Sequence, residues 1–434
     1  MADPHSKPDT GYPRTWVMMG HKAGDNSQIL ALAEGLGWPF EIKHLVYRPT
    51  ELATNLLAPL TLLGIVRGRS SALAPPWPDL IISAGRRNEP PCRWIRARAD
   101  QRVRLVHVGR PWAAIENFDL VVTTPQYRLP QRPNVLHNTT PLQRVADQRL
   151  REAAALWAPR LAHLPRPYTA VMVGGNAGPY VLDGEAATLL GRAASAFARR
   201  QGGSLLLSTS ARTPQRASAA LEAAIDGPAD VFHWTRDAAE NPYLGYLALA
   251  DSIIVTCESM SMLTEACATL KPVYMFDLHT GPENRWGLLE SLIGRVDTSR
   301  WRRLKRLRLQ PLVFRIAFAL GPTRMTRDVR IIHRQLQAQG RAVWLGEAFP
   351  EGPPPASLDD VPRAVARVRA LFEQTAVAQG ALREASPIWR APTSTRGPKL
   401  RPLNQSAGTG AVGCHRRHRA LWSDRRRRNV GEKT

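Results

Sequence analysis

Val255–Phe276 reads VTCESMSMLTEACATLKPVYMF. An apolar run ends at Thr256, a polar turn follows, a short amphipathic stretch crosses back, and a second apolar run begins after Lys271–Pro272. That is the pattern of a strand, a turn, a helix and another strand. Ser259 suits the helix N-cap, and Leu263, Ala266, Cys267 and Leu270 form the stripe expected to be buried. Ser261 and Glu265 are four apart and share another face, turned toward whatever lies beyond the strand ends. A helix that only fills a core needs no Glu258, Ser259 and Ser261 at its start and no Glu265 one turn on.

The same plan recurs along the chain. Thr15–Gly20 is a short apolar run ending in Gly, and Asp25–Gly37 has helical spacing and stops at Gly37. Phe40–Tyr47 alternates like a strand. Pro78–Gly85, Val103–Gly109 and Phe118–Thr124 are further apolar runs closing on small or polar residues. Leu161–Ala170 carries two prolines and reads as a linker. A second cycle follows, with strands near Tyr168–Val173, Gly203–Ser208 and Ala229–Trp234, and helices over Leu182–Arg200, from Pro214 to about Ala224, and Asn241–Ala250. The fold class is therefore α/β, with two Rossmann-like doubly wound halves in tandem. The expected organisation is a disordered N-terminus over 1–14, a first half over 15–160, a second half over 166–345, a helix over 357–376 and a basic disordered tail over 380–434.

The chain has 434 residues, 44% of them apolar, which suits two domains better than one core. Its formal net charge is +23, and residues 380–434 hold 13 Lys and Arg against 3 Asp and Glu. The body alone is still basic, a surface suited to nucleotide phosphates, anionic headgroups or nucleic acid. The tail lacks aromatic interleaving beyond Trp389 and Trp422, so nucleic acid ranks last among these. Cys92, Cys257, Cys267 and Cys414 have neither zinc spacing nor the density of a disulfide framework, which points to reduced thiols in a cytoplasmic setting. No signal-like or membrane-spanning run is visible. Leu52–Arg69 and Trp301–Leu320 mix apolar and basic residues in a way that suits a peripheral contact with the inner membrane. Pro59 and Gly64 break any long helix in the first of these, so burial against the sheet is the favoured reading for it.

In an open α/β sheet, ligands bind beyond the carboxyl ends of the strands. The polar turns Gly20–Gln28, Gly85–Arg87, Gly174–Gly178, Ser208–Arg212 and Thr256–Ser261 all fall there. The Gly174–Gly178 turn, GGNAG, is neither G-x-G-x-x-G nor a P-loop; it fits a diphosphate loop and a plain tight turn equally. Lys22 suits a phosphate and Asp25 a general base, although an N-cap Asp25 with a snorkelling Lys22 accounts for the spacing more simply. Arg212 is placed for an anion. Glu258 fits the helix dipole, since an acid repels a phosphate. A carboxylate such as Glu265 suits the vicinal hydroxyls of a ribose. His21, His107, His137 and His233 have no metal spacing.

GHKAGDNSQ, PDLIISAGRR, VHVGRP, FDLVVTTPQYRLP, VMVGGNAGPY, LLLSTSARTP, NPYLGYLALAD and the opening stretch together resemble the "elongated mitochondria" (ELM) family, here as a bacterial member. The resemblance runs from about Trp16 to Phe276 and more weakly to Phe372. That family is in turn similar to the GT-B glycosyltransferases, above all to the N-acetylglucosaminyltransferase of peptidoglycan lipid synthesis, and the resemblance implies two Rossmann-like domains facing a cleft. By that resemblance Gly174, Gly175 and Asn176 touch the diphosphate of a nucleotide-sugar and Glu265 holds its ribose. Ser259 and Ser261, with Ser210, Arg212 and Glu258 around them, approach the phosphates or sugar. Asp25 is the base by position, and Lys22 helps the diphosphate leave. The chain departs from the family's pattern at Glu258, where Asp is common, and at Ser210–Arg212, where Ala211 replaces an Arg and removes a cation.

The resemblance implies a metal-independent glycosyltransferase that takes a nucleotide-diphospho-sugar as substrate and needs no cofactor. The alternative is a non-catalytic adaptor on the same fold, as in the fission namesake of the family.

Overall fold

The computed structural model describes residues 11–49, 60–145, 147–178, 180–278, 327–352 and 355–384. The mixed segment at 301–320, the N-terminal ten residues and the basic tail from 385 lie outside the described residues.

The first half is a six-stranded parallel sheet of β1 (Thr15–Met19), β2 (Phe40–His44), β3 (Leu80–Ala84), β4 (Arg104–Val108), β5 (Leu120–Thr123) and β6 (Val135–His137), in the order β2-β1-β3-β4-β5-β6. Helix α1 (Ala23–Leu36) follows β1 and stops at Gly37, whose φ of 68° closes the last turn. Helix α2 (Glu89–Arg98) follows β3. Strand β3 is buried throughout, as a central parallel strand must be, whereas edge strand β2 is largely exposed. Of the Leu52–Arg69 segment, Leu62 and Ile65 enter the core on one face of this sheet, while Leu60 and Leu63 are exposed.

Helix α3 (Asp147–Leu161) leads into the second half, which holds β7 (Tyr168–Met172), α4 (Gly184–Arg200), β8 (Ser204–Ser208), α5 (Gln215–Glu222), β9 (Ala229–Phe232), α6 (Tyr243–Leu249), β10 (Ser252–Thr256), α7 (Met260–Ala268), β11 (Val273–Phe276), α8 (Arg330–Ala338) and β12 (Val343–Trp344). The sheet runs β12-β11-β10-β7-β8-β9, all pairs parallel. Read from β9, this is the strand order of a dinucleotide fold, with its switch point between β7 and β10. The chain thus consists of two Rossmann-like halves, the α/β plan expected from the sequence.

Within the opening stretch the structure departs from the expected helix stripe at its last member. Helix α7 ends at Ala268, and Leu270 takes a positive φ of 60° and is 49% exposed. The buried side chains are Met260, Leu263, Thr264, Ala266 and Cys267. Because the helix ends two residues before Leu270, that side chain leaves the stripe.

Two helices pack across the boundaries that the sequence suggests. Leu161, Leu150 and Trp157 of α3 join the second core, although the sequence groups that helix with the first half. Conversely α9 (Asp360–Glu384) returns to the first sheet, where Ala364, Val365 and Val368 pack with Ile29, Leu32 and Leu36 of α1. Asp360 fixes this return. Its buried carboxylate accepts hydrogen bonds from Thr139 N (2.7 Å), Thr140 N (2.9 Å) and Thr140 Oγ1 (2.7 Å), just past β6.

Asp360→Asn keeps the size but leaves one oxygen to serve three donors. With hydrogen bonds to a charged group contributing about 1.5–3 kcal/mol, a loss of roughly 2–3 kcal/mol is expected in urea unfolding of the full chain. An unchanged midpoint and slope would show that Asp360 does not hold α9 in place.

Candidate active site

At the switch point of the second half the glycine turn after β7 is built close against β10. Gly174 N donates to Thr256 Oγ1 at 2.9 Å, Gly175 N to Glu258 Oε1 at 2.6 Å, and Asn176 N to Arg212 O at 3.2 Å. Each of these three amides, expected from the resemblance to touch a diphosphate, is donated within the protein. The glycines serve close approach instead. A Cβ on Gly174 would lie 2.0 Å from Glu258 Oε1, and one on Gly175 2.1 Å from Arg212 O. The Asn176 side chain closes the same turn by accepting from Leu182 N at 2.9 Å. Ser210 Oγ and Thr213 Oγ1 both donate to the Gly174 carbonyl, the latter at 2.8 Å.

Glu258 is buried at the centre of this arrangement, 3% exposed. Besides Gly175 N, its Oε1 accepts from Thr256 Oγ1 at 3.3 Å and lies 3.7 Å from Arg212 Nη2, while Oε2 has no hydrogen-bond partner among the described residues. Burial pushes the carboxyl up to about 7, against the opposing effects of Arg212 and of the hydrogen bonds from Gly175 and Thr256. The carboxylate that the sequence assigns to the helix dipole is a buried strut between three turns. Arg212 reaches from the turn after β8, donates from Nη2 to Ser259 Oγ at 3.2 Å, and remains partly exposed.

Ser259 precedes α7 as N-cap, but its hydroxyl makes no capping hydrogen bond to the helix. The first-turn amides of α7 are therefore left for another acceptor. Ser261 lies beside the first half: a Cβ on Gly24 would be 3.1 Å from its Oγ. Gly24 is in the first turn of α1, whose N-cap, Lys22, likewise makes no side-chain cap. The structure thus sets the N-termini of α1 and α7, one from each sheet, almost in contact.

Asp25 is a first-turn residue of α1, not its N-cap. It is half-buried, and its Oδ2 would be 2.9 Å from a Cβ on Gly85, which has a φ of 74° at the end of β3. Lys22 is exposed. The turn between β1 and α1 is held by Asn26, whose side chain accepts from Gly20 N and donates to Gly20 O, both at 2.9 Å. Asn88 ties the next turn down through Met18 O (2.8 Å) and Ala84 O (2.9 Å). Sequence reading passed over both asparagines. Their one signal was a polar residue just beyond an apolar run.

Glu265 lies on the α7 face that carries Ser261, and Tyr243 Oη of α6 donates to its Oε2 at 2.5 Å. Burial raises its pKa, opposed by Tyr243 and then by Arg149 and Arg144. His107 and His233 lie apart from this arrangement. His107 is fully buried, 3.2 Å through Nδ1 from Ser83 Oγ and 4.0 Å through Nε2 from Glu89, and burial drives its pKa down to about 3. His233 contacts Ser218 and Glu222 at the surface. Among the described residues no group of three or more His, Cys, Asp or Glu is placed to hold a metal, and no helix is long and apolar enough to cross a membrane.

A sequence profile described as mitochondrial fission ELM1 matches residues 23–306. The mitochondrial fission protein ELM1 of Arabidopsis thaliana is 28% identical over 225 residues, 46% of this chain and 51% of that protein, so the match spans about half of the plant relative. An uncharacterized protein of Rickettsia prowazekii is 24% identical over 292 residues, 60% of this chain and 82% of that one. Among solved structures, MurG of Acinetobacter baumannii aligns with a TM-score of 0.37 at 12% identity, over 82% of this chain and all (100%) of that one. UDP-GlcNAc 2-epimerase of Neisseria meningitidis, bound to UDP-GlcNAc, aligns with 0.39 at 9% identity, over 75% of this chain and 100% of the other.

Glu258 makes stability depend on pH. Its folded pKa of about 7 lies above the ordinary carboxyl value of 4.5, so the folded state holds a proton that the unfolded state releases. Its contribution is whole below pH 4.5 and is lost as pH rises through 7, by on the order of 3 kcal/mol at most. Glu89, raised by burial to about 6, adds loss of the same sign. Glu258→Gln is expected to be more stable relative to the parent at pH 8 than at pH 5 in urea unfolding. An equal difference at the two pH values would exclude a protonated Glu258.

Proposed function

The chain belongs to the mitochondrial fission ELM1 family, and on that premise we propose that it transfers a sugar from a nucleotide-diphospho-sugar held mainly by the second half. The supporting observation is the meeting of the uncapped N-termini of α1 and α7 beside Arg212. Each helix start carries about half a positive charge and unsatisfied N–H groups. Two such ends brought together repel unless an anion lies beside them, and a departing diphosphate is such an anion. Arg212, the Ser259 hydroxyl, Ser261 and Lys22 add donors around the same space.

In this reading the charge that builds on the leaving diphosphate is met by fixed dipoles and cations that need no reorganisation. Asp25, on the first half, accepts the proton of the acceptor hydroxyl as the new glycosidic bond forms. Glu265 has one oxygen held by Tyr243 and offers the other to a ribose hydroxyl. Ser210 and the Gly174–Asn176 turn act indirectly, by fixing Arg212 and Glu258.

The adaptor reading is favoured by one observation: the Gly174, Gly175 and Asn176 amides are donated internally, so this part of the turn is held without a ligand. Thermal unfolding of the full chain with UDP, GDP and CDP separates the two. The transferase reading expects a rise in melting temperature with at least one nucleotide. Arg212→Ala should weaken that binding about tenfold or more, the scale of one charge-assisted hydrogen bond. No rise with any of the three would leave the adaptor.

Asp25→Asn should then keep nucleotide binding within about twofold and lower turnover by about a hundredfold or more, the range of general base catalysis. Turnover unaffected by that change would remove Asp25 from the reaction.

A further inference from the structure

Beside the edge of the first sheet lies a strap whose apolar side chains are only partly buried by the fold. Residues 60–71 pass antiparallel to the chain just beyond β2 and are sewn to it. Arg48 N donates to Gly64 O at 2.9 Å, Val66 N to Val46 O at 2.8 Å and Ser71 N to His44 O at 2.8 Å. Two serines strengthen the seam: Ser70 Oγ accepts from Val46 N at 3.0 Å and Ser71 Oγ from His44 N at 2.9 Å. Leu62 and Ile65 enter the core below. The outward side chains of the strap are therefore presented by a fixed backbone.

Those side chains are Leu60 and Leu63, 50% and 62% exposed; Leu63 is the most exposed large apolar side chain among the described residues. Arginines flank them. Arg67 and Arg69, on the single helical turn that follows, are exposed, and their side chains make no hydrogen bond or ion pair among the described residues. Arg48 is exposed across from Gly64, and its Nε donates to Ile65 O at 3.3 Å, which holds the guanidinium beside the leucine turn. The local chain supplies no acid to balance these cations. Residues 42–49 and 60–78 contain neither Asp nor Glu, and Glu41 pairs with the buried Lys43.

We propose that this strap docks on the surface of an anionic lipid bilayer, with Leu60 and Leu63 entering the headgroup–acyl boundary and Arg48, Arg67 and Arg69 meeting the lipid phosphates. Apolar side chains standing out among cations make a shallow interfacial contact, in which burial and electrostatic attraction add. Charge complementarity selects the occupant. A second copy of the chain fits worse: a two-fold contact centred on this turn sets arginines against arginines. Two leucines also bury far less than the roughly 800 Å² per partner of a stable protein interface. The proposal is independent of the transferase reading.

Co-sedimentation of the full chain with phosphatidylcholine vesicles containing phosphatidylglycerol, against phosphatidylcholine alone, tests it. Binding to the mixed vesicles is expected, at least about tenfold tighter than to the neutral ones. The 13 Lys and Arg of residues 380–434 attract anionic vesicles by charge alone, so the leucines decide where contact occurs. Leu60→Ser with Leu63→Ser changes no charge and should weaken binding to mixed vesicles about tenfold. Arg67→Gln with Arg69→Gln should weaken it about tenfold or more. Leu156→Ser, at an exposed position on α3, should match the parent. All variants are compared at an unchanged melting temperature. Should the serine pair lower it, Leu63→Gln alone carries the comparison.

Equal sedimentation of the leucine variant and the parent would overturn the proposal and leave binding to the basic tail. No sedimentation with mixed vesicles would overturn it as well, and so would equal binding to the neutral ones. Self-association in sedimentation velocity that is lost in the leucine variant, with no vesicle binding, would give the strap to a second copy instead.

Discussion

A single buried carboxylate ties together the switch point of the second half. Glu258 joins the glycine turn after β7 through Gly175 N, the turn after β10 through Thr256, and the turn after β8 through Arg212. Three chain segments that are remote in sequence are thereby fixed within one side chain's reach. The arrangement tolerates no Cβ at Gly174, because the space is filled by the carboxylate itself. It also explains why Arg212 can stand partly in solvent and still be held toward Ser259. An ionised carboxylate with one bare oxygen in this setting is costly, which is why its proton is retained toward neutral pH.

Parallel topology accounts for where the charges gather. Every strand-to-helix turn in a parallel sheet lies at the carboxyl edge, and the helix that follows points its positive end there. In each half the strand order reverses at one gap: β1 and β3 in the first sheet, β7 and β10 in the second. The helices that follow β1 and β10 are α1 and α7, and their starts are the two that meet at Gly24 and Ser261. The two halves carry different chemistry there. The second offers small hydroxyls, one arginine and buried acids; the first offers Asp25 and the ring-backed arginines Arg86, Arg87 and Arg110.

Packing between the halves uses their ends rather than their sheets. Asp360 hooks α9 onto the loop beyond β6, and Arg144 holds Glu34 of α1 from the segment before α3. Asp328 N donates to Gln126 O at 3.0 Å, and Arg128 pairs with Asp328 at 2.8 Å. These contacts join the first half to α8, whose His333 in turn hydrogen-bonds Cys257 O at 2.7 Å, one residue from Glu258.

The sequence by itself determined the elements and their order. Apolar runs such as Pro78–Gly85 and Tyr168–Val173 admit little besides buried parallel strands, and Gly37 stops α1 because only a residue without a side chain enters that turn cheaply. It also located the turns that carry the chemistry, since those lie at strand ends wherever the sheet is parallel. Only the tertiary structure decided what each turn residue does. Glycine amides, Glu258 and Asn26 all look like ligand contacts or plain caps along the chain, yet each spends its hydrogen bonds on segments six to 83 residues away. The ring-backed arginines were silent in sequence for the same reason: Arg327 and Tyr127 are 200 residues apart, and no local pattern encodes which ring a guanidinium will face.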